Sequence, residues 1–239
     1  MLPPGPLGGR QLATVLAEVA PLVARTADLR AAPGRTVEVL TDLADGRQVR
    51  GSVPGVHGTC QVSVGYSRLG PRDRLRSWIG LLALTASDPE IRWTAATVGR
   101  GEAGHPRCST LGPVDPALAP EMLGQLVELY DAGLRAPLPL PTRTSAAYAA
   151  ARVDDDDAGE AARKARRRWT TSGEIPGEDA DAANERVWGR RTGLETLLAI
   201  PADPGDLTGP LDAAEPTMFG ALALRLWAPL LDAERIIPL

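Results

Sequence analysis

At 239 residues the chain can build one sizeable core, or one core with a smaller appendage. With 44% hydrophobic and 23% charged residues it reads as an ordinary globular chain. Its net charge of -4 argues against a module that wraps nucleic acid by itself, though not against a subunit whose partners supply the positive charge. Cys60 and Cys108 lie far apart and no Cys/His group has zinc-ligand spacing, so the thiols are expected reduced and internal, consistent with cytoplasm. No charged leader opens the chain and no apolar run reaches about 18 residues, so neither secretion nor a membrane span is expected.

In chain order, residues 2–9 are a Pro/Gly-rich lead-in. Leu12, Val15, Leu16, Val19 and Val23 then form a helical stripe over residues 11–29, which Pro21 should kink or split. Residues 36–41 alternate as a strand. Asp45-Gly46 turns the chain into a second strand over residues 47–53, and residues 59–67 make a third, with Val62, Val64 and Tyr66 on one face. Gly70-Pro71 opens a helix whose buried face is expected to hold Leu75, Trp78, Ile79, Leu82 and Ala83. Residues 92–98 are a fourth strand, and Gly99-Arg100-Gly101 reads as a turn.

Asp115-Pro116 predicts a helix start, with Leu118, Met122, Leu126, Leu129 and Tyr130 on its buried side. Pro137, Pro139 and Pro141 stiffen an extended connector, which is the expected boundary between a core of residues 1–136 and a helical extension of residues 137–239. Beyond it come a short helix over residues 144–152, a basic helix over 161–169 and a weaker one over 184–198. A turn-rich loop covers 201–216, and a closing helix covers 219–233. The fold class predicted is mixed α/β.

Chemistry is mostly excluded. No phosphate-binding glycine loop is present. The middle strands carry no Asp or Glu to hold Mg²⁺, so no metal, cofactor or catalytic residue is expected. His57 and His105 read as loop residues; a Cys-His nucleophile would need a closeness to Cys60 or Cys108 that spacing does not determine. Two basic groups remain as candidate DNA or partner contacts. Tyr66, Arg68 and Arg72 sit at a strand–helix junction. Arg163, Lys164, Arg166, Arg167 and Arg168 ride on the basic helix, where the alternative is a solvated face paired with Asp154 to Asp157 and Glu160. Trp188, Phe219 and Trp227 are candidate interface anchors, with local core packing as the alternative.

The ordered series Val49-Arg50-Gly51-Ser52-Val53-Pro54, Val62-Ser63-Val64-Gly65-Tyr66-Ser67-Arg68-Leu69-Gly70-Pro71 and the Trp78 helix resembles the C-terminal region of RecC in its actinobacterial form. RecC is the gamma subunit of exodeoxyribonuclease V. Residues 93–101, Leu129-Tyr130 with the Pro-rich connector, Gly177-Glu178-Asp179-Ala180-Asp181 and residues 219–231 are similar to that family as well. The resemblance implies a C-terminal piece of a longer protein, without the helicase-like regions to which Chi scanning belongs. It implies a PD-(D/E)xK nuclease-like core with its active site lost: where an active relative carries Asp and then Asp-x-Lys, this chain reads Ser52-Val53-Pro54 and Gly65-Tyr66-Ser67. It further implies a non-catalytic domain of a RecBCD-type complex in double-strand break repair, docking a RecD-like subunit beside a RecB-like one and lying near the split DNA strands. The alternative is an isolated DNA-binding or residual nuclease module.

Overall fold

The computed structural model describes residues 5–101, 105–201 and 215–239. The chain divides into two compact units: Met1–Leu40 with Arg50–Val114 and Arg235–Leu239, and Thr41–Val49 with Asp115–Glu234. The division after Val114 differs from the expected boundary at 136/137. It places the helix that precedes the Pro-rich connector with the later helices.

The first unit is built on a mixed sheet of six strands in the order β1-β2-β3-β4-β5-β6, comprising Gly34–Asp42, Gln48–His57, Cys60–Arg68, Thr94–Arg100, Pro106–Leu111 and Glu234–Pro238. Strand β3 runs antiparallel to β2 and parallel to β4, and β5 runs antiparallel to β4. The parallel pair needs a crossover, and helix α2 (Pro71–Ser87) supplies it, packing on β3, β4 and β5. Trp78, Leu81, Leu82 and Leu84 of α2 are buried, and so are Trp93 before β4 and Ala95, Ala96 and Val98 within it. Ile79 is exposed, contrary to its expected place on the buried face, because α2 turns the Ile79 edge outward with Arg72 and Arg76.

Four local expectations change in this unit. Strand β2 continues through Pro54 to His57, because Gly55 takes a positive φ of 71° and lets the strand resume after the break. Gly99 and Arg100 lie in β4 rather than in a turn. Strands β5 and β6 have little apolar alternation, and only their pairing defines them. Helix α1 (Pro6–Arg25) is one helix with Pro21 inside it, and it takes in residues 6–9 of the expected lead-in. Its Leu22 joins Ala96, Val98 and Cys108 in the core, but Leu12, Val15, Leu16 and Val23 are exposed.

The second unit is helical: α3 (Ala119–Arg135), α4 (Thr142–Val153), α5 (Ala158–Trp169), α6 (Ala182–Trp188), α7 (Glu195–Leu198) and α8 (Met218–Ala233). Helix α4 packs on both α5 and α8. Small residues on facing surfaces allow the close approach: Ala146, Ala149 and Ala151 on α4, Ala161 and Ala165 on α5, and Ala221 and Ala223 on α8 are all buried. Asp115 forms a turn, accepting from the Ala117 N–H, and α3 begins only at Ala119 with Pro120 in its first turn. That later start changes the buried face to Ala119, Leu123, Leu129 and Ala132, leaving Leu118 and Tyr130 exposed. The weak helix over 184–198 is two short ones, because Gly189 ends α6 with φ of 96°. Most of the turn-rich loop expected over 201–216 lies outside the described residues.

Candidate functional site

The strand–helix junction of the first unit is where local backbone geometry gathers charge. Between Val64↔Val98 and Arg68↔Arg100, β3 advances four residues while β4 advances two, so β3 bulges at Gly65, Tyr66 and Ser67. Gly99 makes this closeness feasible: a Cβ there would stand 2.8 Å from the Leu69 nitrogen and 2.9 Å from the Ser67 oxygen. The Leu69 N–H donates to the Arg100 carbonyl at 2.9 Å, and Gly70 and Pro71 then open α2.

The result is an arginine-rich edge. Arg68 and Arg100 are register partners, and Arg107 enters opposite Gly99 with its aliphatic stem beside Gly101. Arg72 and Arg76 stand one turn apart on the exposed side of α2. The Tyr66 hydroxyl donates to Glu18 of α1, which raises its pKa, and the Arg100 guanidinium lies 4.3 Å from the Tyr66 ring centroid. Among the described residues, Arg68, Arg72, Arg76, Arg100 and Arg107 have no carboxylate partner. Sequence reasoning named Tyr66, Arg68 and Arg72. It placed Arg76 only on the flank of the helix, and it missed Arg100 and Arg107, whose signal depends on the β3–β4–β5 pairing.

The basic helix α5 is organised differently. Arg163 pairs with Glu160 in a contact that lowers the glutamate's pKa. Lys164 meets Asp156 at 2.5 Å, and Arg166 meets Glu195 at 2.5 Å. Arg167 and Arg168 are exposed, and the Arg167 charge helps to lower the Glu160 pKa. Of the candidate anchors, Phe219 and Trp227 are wholly buried, so they serve the local core rather than an exposed interface. Phe219 stacks edge-on against Tyr148 with centroids 5.2 Å apart, and the Trp227 indole N–H donates to Ser145 Oγ at 2.9 Å. Trp188 is half-buried on α6.

Among the described residues no group of His, Cys, Asp and Glu has the arrangement to hold a metal ion. Strands β2 to β5 contain no Asp, Glu or Lys, and the one lysine of the chain is Lys164 on α5. His57 and Cys60 face each other across the β2–β3 hairpin, but His57 Nδ1 lies 2.6 Å from the Ala32 carbonyl and Cys60 Sγ turns to the Gln61 carbonyl. No Cys-His pair forms from them. The buried carboxylates of the second unit are all engaged. Glu178 accepts from the Arg143 and Thr144 backbone N–H groups and from Thr144 Oγ1, at 2.9, 2.7 and 2.7 Å. Asp179 accepts from the Thr171 N–H and hydroxyl, and Glu215 accepts from the Tyr148 hydroxyl and Arg152.

Residues 1–153 match the family model of the RecC C-terminal domain. The chain belongs to the RecC family. It is 41% identical over 235 residues to the RecBCD enzyme subunit RecC of Mycobacterium tuberculosis H37Rv, covering 98% of this chain and 20% of that protein. Against the RecBCD enzyme subunit RecC of Mycolicibacterium smegmatis the identity is 43%, over 98% of this chain and 21% of the relative. The chain thus spans about a fifth of the length of these RecC proteins, and it corresponds to the RecC C-terminal region. Among the described residues no helix is long and apolar enough to cross a membrane.

Proposed function

We propose that this chain is a non-catalytic docking module of a RecBCD-type helicase–nuclease complex acting on double-strand breaks in the cytoplasm. In this reading its core is a PD-(D/E)xK nuclease scaffold stripped of chemistry, followed by a helical extension. The module contacts a RecD-like subunit, sits beside a RecB-like one, and lies near the separated DNA strands. The observation that carries the reading is the acid-free, lysine-free set of strands β2 to β5 in a chain of the RecC family. One-metal or two-metal phosphodiester hydrolysis needs carboxylates on those strands to hold Mg²⁺.

A second reading, an isolated DNA-binding module, draws support from the unpaired arginines at the end of β3 and β4. Co-expression separates the two. With the cognate RecB-like and RecD-like subunits and the remaining RecC region supplied in trans, the chain should co-purify as a stable complex at moderate salt. A folded chain that elutes alone at tens of micromolar (about the weakest range relevant to a stable assembly) would remove the docking reading.

A further inference from the structure

We infer that the exposed apolar flank of α1, built on Leu12, Leu16 and Val23, docks another part of a RecC protein, the region that precedes the C-terminal domain. The identity of the occupant rests on the docking reading proposed above; the uncovered flank does not.

Within the first unit α1 buries only a narrow edge. Leu22 joins the cluster of Ala96, Val98 and Cys108, and Thr26, one turn on, is buried with its hydroxyl donating to the Leu22 carbonyl at 2.9 Å. Leu12, Leu16 and Val23 follow one another at spacings of four and seven, so they make a second stripe beside that edge. They are 45%, 57% and 46% exposed, which leaves each about half in water on one continuous flank rather than scattered singly. Charge does not compensate. Across residues 11–24 the one charged side chain is Glu18, and its carboxylate accepts from the Tyr66 hydroxyl. A helix this apolar over most of its circumference is one that another surface covers.

That surface is protein rather than lipid. A helix that lies on a membrane sets a Lys/Arg-rich face opposite its apolar one and carries Trp or Phe at the boundary. Helix α1 has no lysine and no aromatic residue, and no arginine between Arg10 and Arg25. Two facts single out the occupant. The chain covers 20% and 21% of its mycobacterial RecC relatives and matches the RecC C-terminal domain, so most of a RecC polypeptide precedes the region aligned here. Helix α1 is the first element, starting at Pro6, so that preceding region enters beside the uncovered flank. Next to a covalent junction the effective concentration is high, and a modest aliphatic patch then suffices to hold the two surfaces together.

The test uses the whole chain co-expressed with the preceding RecC region and the RecB-like and RecD-like subunits. With photoreactive p-benzoylphenylalanine in place of Leu16, irradiation should join the chain to the preceding RecC region, as peptide mass spectrometry would locate. Leu12→Gln with Leu16→Gln preserves helix propensity at two exposed positions, so circular dichroism and thermal melting should not change. Retention of this pair on the tagged preceding region, followed across a dilution series, should fall about tenfold. The loss should be the same at low and high salt, because apolar contact is not screened. Tyr130→Gln with Leu134→Gln, exposed on α3, should leave retention unchanged. A Leu16 crosslink to the RecB-like or RecD-like subunit, to a second copy of the chain or to nothing would overturn the assignment. So would unchanged retention of the α1 pair, an equal loss from the α3 pair, or wild-type binding to phosphatidylglycerol vesicles that the α1 pair abolishes. Should the α1 pair unfold, the Leu16 crosslink still decides. If the chain co-purifies with its partners but Leu16 crosslinks elsewhere, the docking function stands and this surface falls. A wild-type chain that co-purifies with none of them removes both.

Discussion

Glu178 illustrates how a buried charge becomes structural. Its carboxylate takes two backbone donors and one hydroxyl at the start of α4, a role that a local capping residue would otherwise fill, and Pro141 at the N-cap has no side-chain acceptor. Glu178→Ala would leave these donors unmet in a buried place and should cost about 1–3 kcal/mol in urea denaturation. Glu178→Gln, which keeps an acceptor, should cost less. Cys108 differs because burial alone dominates it, pushing the thiol up to about 11, with the nearby Cys60 adding to the rise. The thiolate is the reactive form, so native Cys108 should resist iodoacetamide near pH 8 and react faster as pH climbs toward 11, as peptide mapping would show. The sign for stability follows. The unfolded thiol loses its proton from about pH 8.5 while the folded one keeps it, so this group lowers stability as pH rises from there toward 11.

Helix α8 carries the strongest element-scale prediction. Its Phe219, Leu222, Trp227 and Leu230 are fully buried, and the N-cap Thr217 accepts from the Gly220 N–H. Trp227→Ala should therefore destabilise the helical unit by about 3–5 kcal/mol, the cost of an emptied core site, and thermal melting reports it directly. An unchanged melting temperature with weakened partner binding would instead mark Trp227 as an interface anchor. The sequence conveyed α8 clearly, because its apolar positions recur with helical spacing over residues 219–230. It did not convey whether the aromatics faced in or out. Periodicity identifies the apolar face of a helix but not what covers it, and α1 shows the converse case, an apolar stripe left exposed.

For the whole molecule the expectation is an absence of chemistry. In the reading proposed above, strands β2 to β5 supply no Asp, Glu or Lys to hold a metal or orient a water, and Lys164 of α5 pairs with Asp156. Labelled single-stranded and duplex DNA incubated with the purified chain and Mg²⁺ or Mn²⁺ should remain intact. Cleavage that follows the protein through chromatography and disappears with EDTA would contradict the reading of a stripped nuclease scaffold.

By itself the sequence determined the mixed α/β class, the β1–β2 turn at Asp45-Gly46, strand β3, helix α2 and the closing helix. All of these rest on interactions between near neighbours in the chain, which leave a period or a turn signature. The ordered run of segments was also enough to suggest the RecC family. Strands β5 and β6 were decided only by the tertiary structure, since a short strand with little alternation is defined by the neighbour it pairs with. The division after Val114 has the same origin, because α3 buries its Leu129 and Ala132 against Leu222 of α8, a partner distant in sequence. The arginine edge is the clearest case. Arg68 and Arg100 become register partners by strand pairing across 32 positions (100 − 68), and no local pattern records a contact at that range.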